Sequence, residues 1–97
     1  MALETTRWDS SEHLDSEEAI VAYMDAILEE GDPALVTHAL GQIAKARGMT
    51  QIARETGLSR ESLYRALSAE GHPEFATVMK VMQALGLRLS ASASKAA

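Results

Sequence analysis

Apolar residues recur at three- and four-residue intervals along much of the chain, and caps and glycines divide the pattern into short helices. The clearest stretch is "LDSEEAIVAYMDAILEEG", in which Ile20, Tyr23, Met24, Ile27 and Leu28 share one face. Asp15 stands three residues before Glu18, the spacing of a capping box, and Gly31 ends the helix. "GDPALVTHALGQIAKARG" repeats the logic: Asp32 predicts an N-cap, Pro33 suits the first helical position, and Gly48 closes the segment. Leu35, Val36, Ala39, Leu40, Ile43 and Ala44 fill its apolar side. "MTQIARETG" predicts a short helix with Thr50 as cap and Gly57 as terminator, and another helix starts at Ser59 and runs to about Leu67 or Ser68. Beyond a loop with Gly71 and Pro73, "EFATVMKVMQALG" turns Phe75, Val78, Met79, Met82 and Leu85 inward and ends at Gly86.

The periodicity fades at both termini. "DSSEHL" sets Asp9 three residues before Glu12, with Trp8 ahead as a hydrophobic staple, and predicts a short helical turn. Leu87, Arg88, Leu89 and Ser90 alternate in a way that permits a short strand. The expected fold is all-α: a five-helix bundle with an N-terminal helical extension and room for a short C-terminal strand. One helical domain is expected over residues 9–90, between a flexible N-terminus (1–8) and a disordered, low-complexity tail (91–97).

Composition supports this reading and narrows the chemistry. Ninety-seven residues suffice for one core but not two, and the apolar 46% is mostly Ala, Leu, Ile, Val and Met, which favour helices. The absence of cysteine removes disulfides, thiolate zinc sites and cysteine nucleophiles. No apolar run is long enough to span a bilayer, and the N-terminus lacks the basic start and apolar middle of a signal peptide, so a cytoplasmic protein without a membrane partner is expected.

The net charge of -5 is unevenly spread. Residues 1–32 hold ten acids against Arg7 alone, whereas residues 33–97 hold eight bases against Glu55, Glu61, Glu70 and Glu74. Phosphate senses charge within a Debye length of about 8–10 Å, so a locally basic face can bind nucleic acid on an acidic protein. The acids near the start of the first long helix also suit the positive end of its dipole.

One constellation carries a function. Ala53, Gly57 and Leu63 fit a helix-turn-helix template over about residues 50–68: a small residue at the crossing, a glycine for positive φ at the turn, and an apolar anchor in the second helix. Ile52, Thr56, Leu58, Leu63 and Leu67 then face inward, while Glu61, Tyr64, Arg65 and Ser68 point outward with Arg60 on the flank. Lying in a major groove, such a helix offers Arg60, Glu61, Ser62, Tyr64 and Arg65 to bases, with Arg60 and Arg65 suited to bidentate pairing with guanine. Glu61 can accept from cytosine or simply pair with Arg65. Tyr64 can touch sugar and phosphate or close the edge of the core. Lys45, Arg47, Thr50, Gln51, Arg54 and Ser59 are candidate phosphate contacts, although Lys45 and Arg47 also suit the negative end of their own helix.

Residues 31–89, and most distinctively "ARGMTQIARETGLSRESLYRALS", resemble the addiction-module antidote proteins, HigA-like antitoxins within the phage-repressor and Cro helix-turn-helix class. The likeness extends over roughly residues 9–89. It implies an antitoxin that neutralises a small ribonuclease-like toxin of the RelE/ParE superfamily and represses their shared operon. It also implies DNA-reading roles for Arg60, Glu61, Ser62, Tyr64 and Arg65, with Gln51 in the supporting helix. Two departures stand out: Gln51 lies six residues before the turn glycine, closer than in phage repressors, and Glu74 replaces the expected Ser or Thr cap after Pro73. The resemblance gives the acidic N-terminal third a role in covering a basic, RNA-binding toxin.

The expected partners are therefore double-stranded operator DNA, a basic RelE/ParE-like toxin and a second copy of the chain, since one short recognition helix normally needs a two-fold mate. Val81, Leu87 and Leu89 are candidate dimer contacts. A stand-alone Cro-like regulator and a toxin-binding module without DNA binding are the competing readings. An enzyme is not expected, nor a cofactor or metal: His13, His38 and His72 are dispersed, and no nucleophile elbow or phosphate loop appears.

Overall fold

Five helices account for the regular structure of the computed structural model, which describes residues 16–68 and 70–94. They are α1 (Glu17–Glu30), α2 (Pro33–Arg47), α3 (Met49–Thr56), α4 (Arg60–Ala66) and α5 (Phe75–Ala84). No strand occurs among the described residues. The helical turn predicted near Asp9, and residues 95–97 of the predicted tail, lie outside them.

The helix boundaries follow local chemistry. Ser16, one residue after the predicted Asp15, caps α1 by accepting a hydrogen bond from the Ala19 amide at 3.1 Å. Asp32 caps α2 in the same way through the Ala34 amide at 3.0 Å, with Pro33 at the first helical position as predicted. Thr50 does not cap α3. That helix begins at Met49, so Thr50 is already inside the first turn, and Gly48 at the cap supplies no side chain. Likewise, Glu74 precedes α5 without a side-chain capping bond.

Helix α1 packs on α2, and α3 packs on α2, α4 and α5, placing α3 at the junction of the bundle. Ile20, Leu40, Ile43, Ile52, Leu63, Val81 and Leu85 form the fully buried centre. Helix α2 also approaches the end of α4 at Gly41, where a Cβ would sit 3.0 Å from the Leu67 carbonyl oxygen.

Four apolar expectations change. Val81, predicted as a dimer contact, is wholly buried in the core. Phe75, predicted to face inward, is 69% exposed, because the buried arc of α5 comprises Val78, Val81, Met82 and Leu85. At 100° per residue its centre lies about 70° from Phe75. Leu28 and Leu35, close to helix ends, are also exposed. The predicted strand at Leu87–Ser90 is irregular chain: no partner strand is present among the described residues to complete a ladder. The Leu87 amide instead donates to the Met82 carbonyl at 2.8 Å, and the Leu87 side chain packs on the core.

Candidate nucleic-acid interface

The segment from α3 to α4 is held by backbone conformation first. Gly57 takes φ 78°, a left-handed geometry that costs other residues about 1–2 kcal/mol, and its amide donates to the Ala53 carbonyl at 3.0 Å. Thr56 secures the same turn. Its buried hydroxyl donates toward the Ile52 and Ala53 carbonyls at 2.9 and 3.1 Å and accepts from the Leu58 amide at 3.4 Å. The Thr56 hydroxyl, itself buried, is thereby fully paired within the turn and ties the end of α3 to the chain that enters α4.

Ser59 then opens α4, accepting from the Ser62 amide at 3.0 Å. Since a hydroxyl carries a proton besides its lone pairs, this cap leaves Ser59 able to donate to an incoming anion. The seven residues of α4 are too few to be stable alone. Leu63 and Leu67 anchor them, with Ile52 and Ala53 buried on the α3 side. Their burial fixes the opposite face: Arg60, Glu61, Tyr64, Arg65 and Ser68 are exposed, as the pattern predicts, and Ser62 is half-buried.

Two contacts on this surface bear on the candidate residues. The Arg60 guanidinium lies over the Tyr64 ring, 5.7 Å from its centroid, a cation–π contact that restrains the arginine. Tyr64 thus supports Arg60 from one turn away. The Gln51 side-chain amide donates to the Glu55 carboxylate at 2.7 Å, so a phosphate contact by Gln51 requires exchanging that partner. Both pairs are four residues apart, a spacing that identifies neighbours on a helix.

Lys45, Arg47, Thr50, Arg54 and Ser59 are all exposed. Lys45, Tyr64 and Ser68 line one small cleft of about 230 Å³ with His38 and Gln42, which joins the last turn of α2 to the exposed side of α4. Arg47 and Arg54 do not line it. The uncapped start of α3 leaves its first-turn amides without a side-chain acceptor, next to exposed Thr50 and Gln51.

Gly71 is a structural determinant that the sequence pattern did not single out. A Cβ there would lie 2.4 Å from the Ala66 carbonyl oxygen and 2.6 Å from that of Arg65, so the chain leaving α4 folds directly over the helix end. Among the described residues no cluster of His, Asp or Glu is placed to hold a metal ion, and no helix is long and apolar enough to cross a membrane.

Residues 4–93 match a family described as "Probable addiction module antidote protein". A protein of Haemophilus influenzae described as uncharacterized is 54% identical over 88 residues, which span 91% of each chain. No solved structure matches.

Proposed function

The chain belongs to the family of probable addiction module antidote proteins, and from that premise we propose that it is the antitoxin of a type II toxin–antitoxin module. In this reading it binds operator DNA through the helix-turn-helix of α3 and α4, represses the operon encoding the pair, and neutralises a small basic toxin of the RelE/ParE kind. The observation that carries the DNA-binding part is the exposed face of α4, with Arg60 braced on Tyr64 and Arg65 exposed in the last turn.

The exposed face of α4 enters the major groove, where Arg60 and Arg65 pair with guanine edges and Ser62, Glu61 and Tyr64 complete the contact surface. Ser59 donates to a phosphate. The open first-turn amides of α3, with Thr50 and Gln51, hold the adjoining backbone. Exposed Lys45, Arg47 and Arg54 add positive charge on α2 and α3, and phosphate responds to local charge, so the molecule's net charge does not decide the outcome. A homodimer presents two such helices about 34–36 Å apart to a two-fold operator.

The Gln51–Glu55 hydrogen bond, which occupies one candidate phosphate donor, favours a second reading: a toxin-binding module that does not engage DNA. Fluorescence anisotropy against the DNA upstream of the gene, beside scrambled DNA and across several salt concentrations, separates the two. The proposal predicts a preference for the native site of at least about a hundredfold. It also predicts a negative salt slope and loss of that preference in Arg60→Ala/Arg65→Ala. Equal weak binding of both DNAs, unchanged in the variant, would leave only the interaction module.

A further inference from the structure

An apolar trough lies between the end of α1, the start of α2, and α5 with the chain that follows it. Its main cavity is about 600 Å³, with Leu28, Val36, Phe75, Val78 and Met82 among its walls. A second cavity of about 540 Å³ shares Leu28, Met82 and Leu89 with the first, so the two adjoin along the same side of the bundle. Phe75, Leu28 and Leu89 remain substantially exposed around it. Large apolar side chains gathered at an open depression mark a surface that gains stability when a partner covers it.

The charge around the trough selects the partner. Asp32 lines the main cavity, and Asp25 and Glu29 line the second one, where Arg88 is the basic neighbour. Glu30 and Glu74, next to these walls in sequence, are exposed, and His72 completes the polar margin. The complementary surface is an apolar anchor flanked by lysine or arginine. Nucleic acid does not meet that description, because its phosphates face the same carboxylates. Neither does the segment preceding α1, which carries Glu4, Asp9, Glu12 and Asp15 against Arg7 alone. A second copy docked across a two-fold axis sets the same net-acidic patch against itself, with Arg88 the basic neighbour on each side.

We propose that this trough is the docking site for the toxin, which inserts apolar side chains beside Phe75 and Leu89 and sets cations against Asp25, Glu29 and Asp32. The proposal rests on the antidote reading and adds to it the surface and the chemistry of the contact. The trough belongs to α1, α2 and α5, whereas the candidate base-reading residues belong to α4. The same chain can thus hold a protein partner and DNA through separate side chains.

The probe is the purified product of the gene adjacent to this one, titrated calorimetrically into the full-length chain and into Phe75→Lys, Leu28→Lys and Phe75→Leu. A central anchor predicts a loss of about 30-fold or more in Phe75→Lys and a comparable loss in Leu28→Lys, with Phe75→Leu close to wild type. Thermal melting of Phe75→Lys should be unchanged, since the ring is mostly exposed. Tight binding by wild type that persists in both lysine variants would overturn the docking site and leave the antidote reading standing. Absence of binding by wild type would overturn both. If sedimentation shows that the lysine variants break a dimer while the adjacent product still binds, the trough is a contact between copies and the proposal fails.

Discussion

The exposed face of α4 and the trough beside α5 are built from opposite materials. The α4 face is polar and cationic, rests on a short helix, and owes its form to a capped start, a glycine turn and two buried leucines. The trough is mostly apolar in its main cavity and carries Asp25, Glu29 and Asp32 along its lining, and it is walled by longer helices whose own caps are independent of α4. The first surface suits a polyanion and the second a basic protein. The contrast teaches that net charge is a poor guide to partners in a chain this small: most of the carboxylates lie on or before α1, and only Glu55 and Glu61 share α3 and α4 with the arginines there.

The largest expected effect comes from removing the anchor of one region alone. Leu63 is fully buried, and Leu63→Ala should cost about 2–5 kcal/mol, read by chemical denaturation. Nearly the whole attachment of α4 depends on this residue and Leu67, so operator binding should fall further than stability alone accounts for. A loss under about 0.5 kcal/mol would mean that α4 is held by something other than its buried face.

Two glycines sharpen the account of how α4 is held. Gly71→Ala drives a Cβ against the Ala66 and Arg65 carbonyls and should cost about 1–3 kcal/mol through forced backbone movement. Gly57→Ala meets no atom within 4 Å and should cost about 1–2 kcal/mol through backbone conformation alone. Equilibrium unfolding of the two variants tests this ranking. In neither should toxin affinity change under conditions where the variant is folded.

The smallest stability effect is expected at the trough margin. Asp25 and Glu29 are exposed, and Asp25→Asn/Glu29→Gln should leave folding free energy within about 0.5 kcal/mol while slowing association with the toxin and flattening its salt dependence. Stopped-flow association at low and high salt is the relevant measurement. An unchanged rate at low salt would remove the electrostatic half of the contrast.

Much of the fold was legible because its boundaries rest on local chemistry. Asp32 with Pro33, Ser59, and the glycines at 31, 48 and 57 act within one turn of their own positions, so sequence alone locates them. Asp15 and Ser16 show the limit: adjacent residues with equal capping chemistry differ only in where the helix starts. Thr50 failed as a cap for the same reason. The outward set on α4 was readable because Leu63 and Leu67 fix the opposite side.

What escaped the pattern depends on neighbours distant in sequence. Phe75 has the right period to be buried, yet the arc of α5 that α3 covers is rotated toward Val81. The trough needs three helices and the chain after α5 to exist, and none of them signals it alone. The alternation from Leu87 to Ser90 misled because a strand is defined by its partner. The Gln51–Glu55 and Arg60–Tyr64 pairs were within reach of a four-residue spacing rule.

Amide chemical-shift mapping of the ¹⁵N-labelled chain, titrated with the DNA upstream of its gene, tests most directly whether α4 is the DNA-reading surface. Binding through α4 predicts the strongest perturbations at the start of α3 and along α4, at Thr50, Gln51, Ser59, Arg60 and Arg65, with Asp25, Glu29 and Phe75 nearly unmoved. Perturbations concentrated on α1 and α5, with α4 silent, would contradict it.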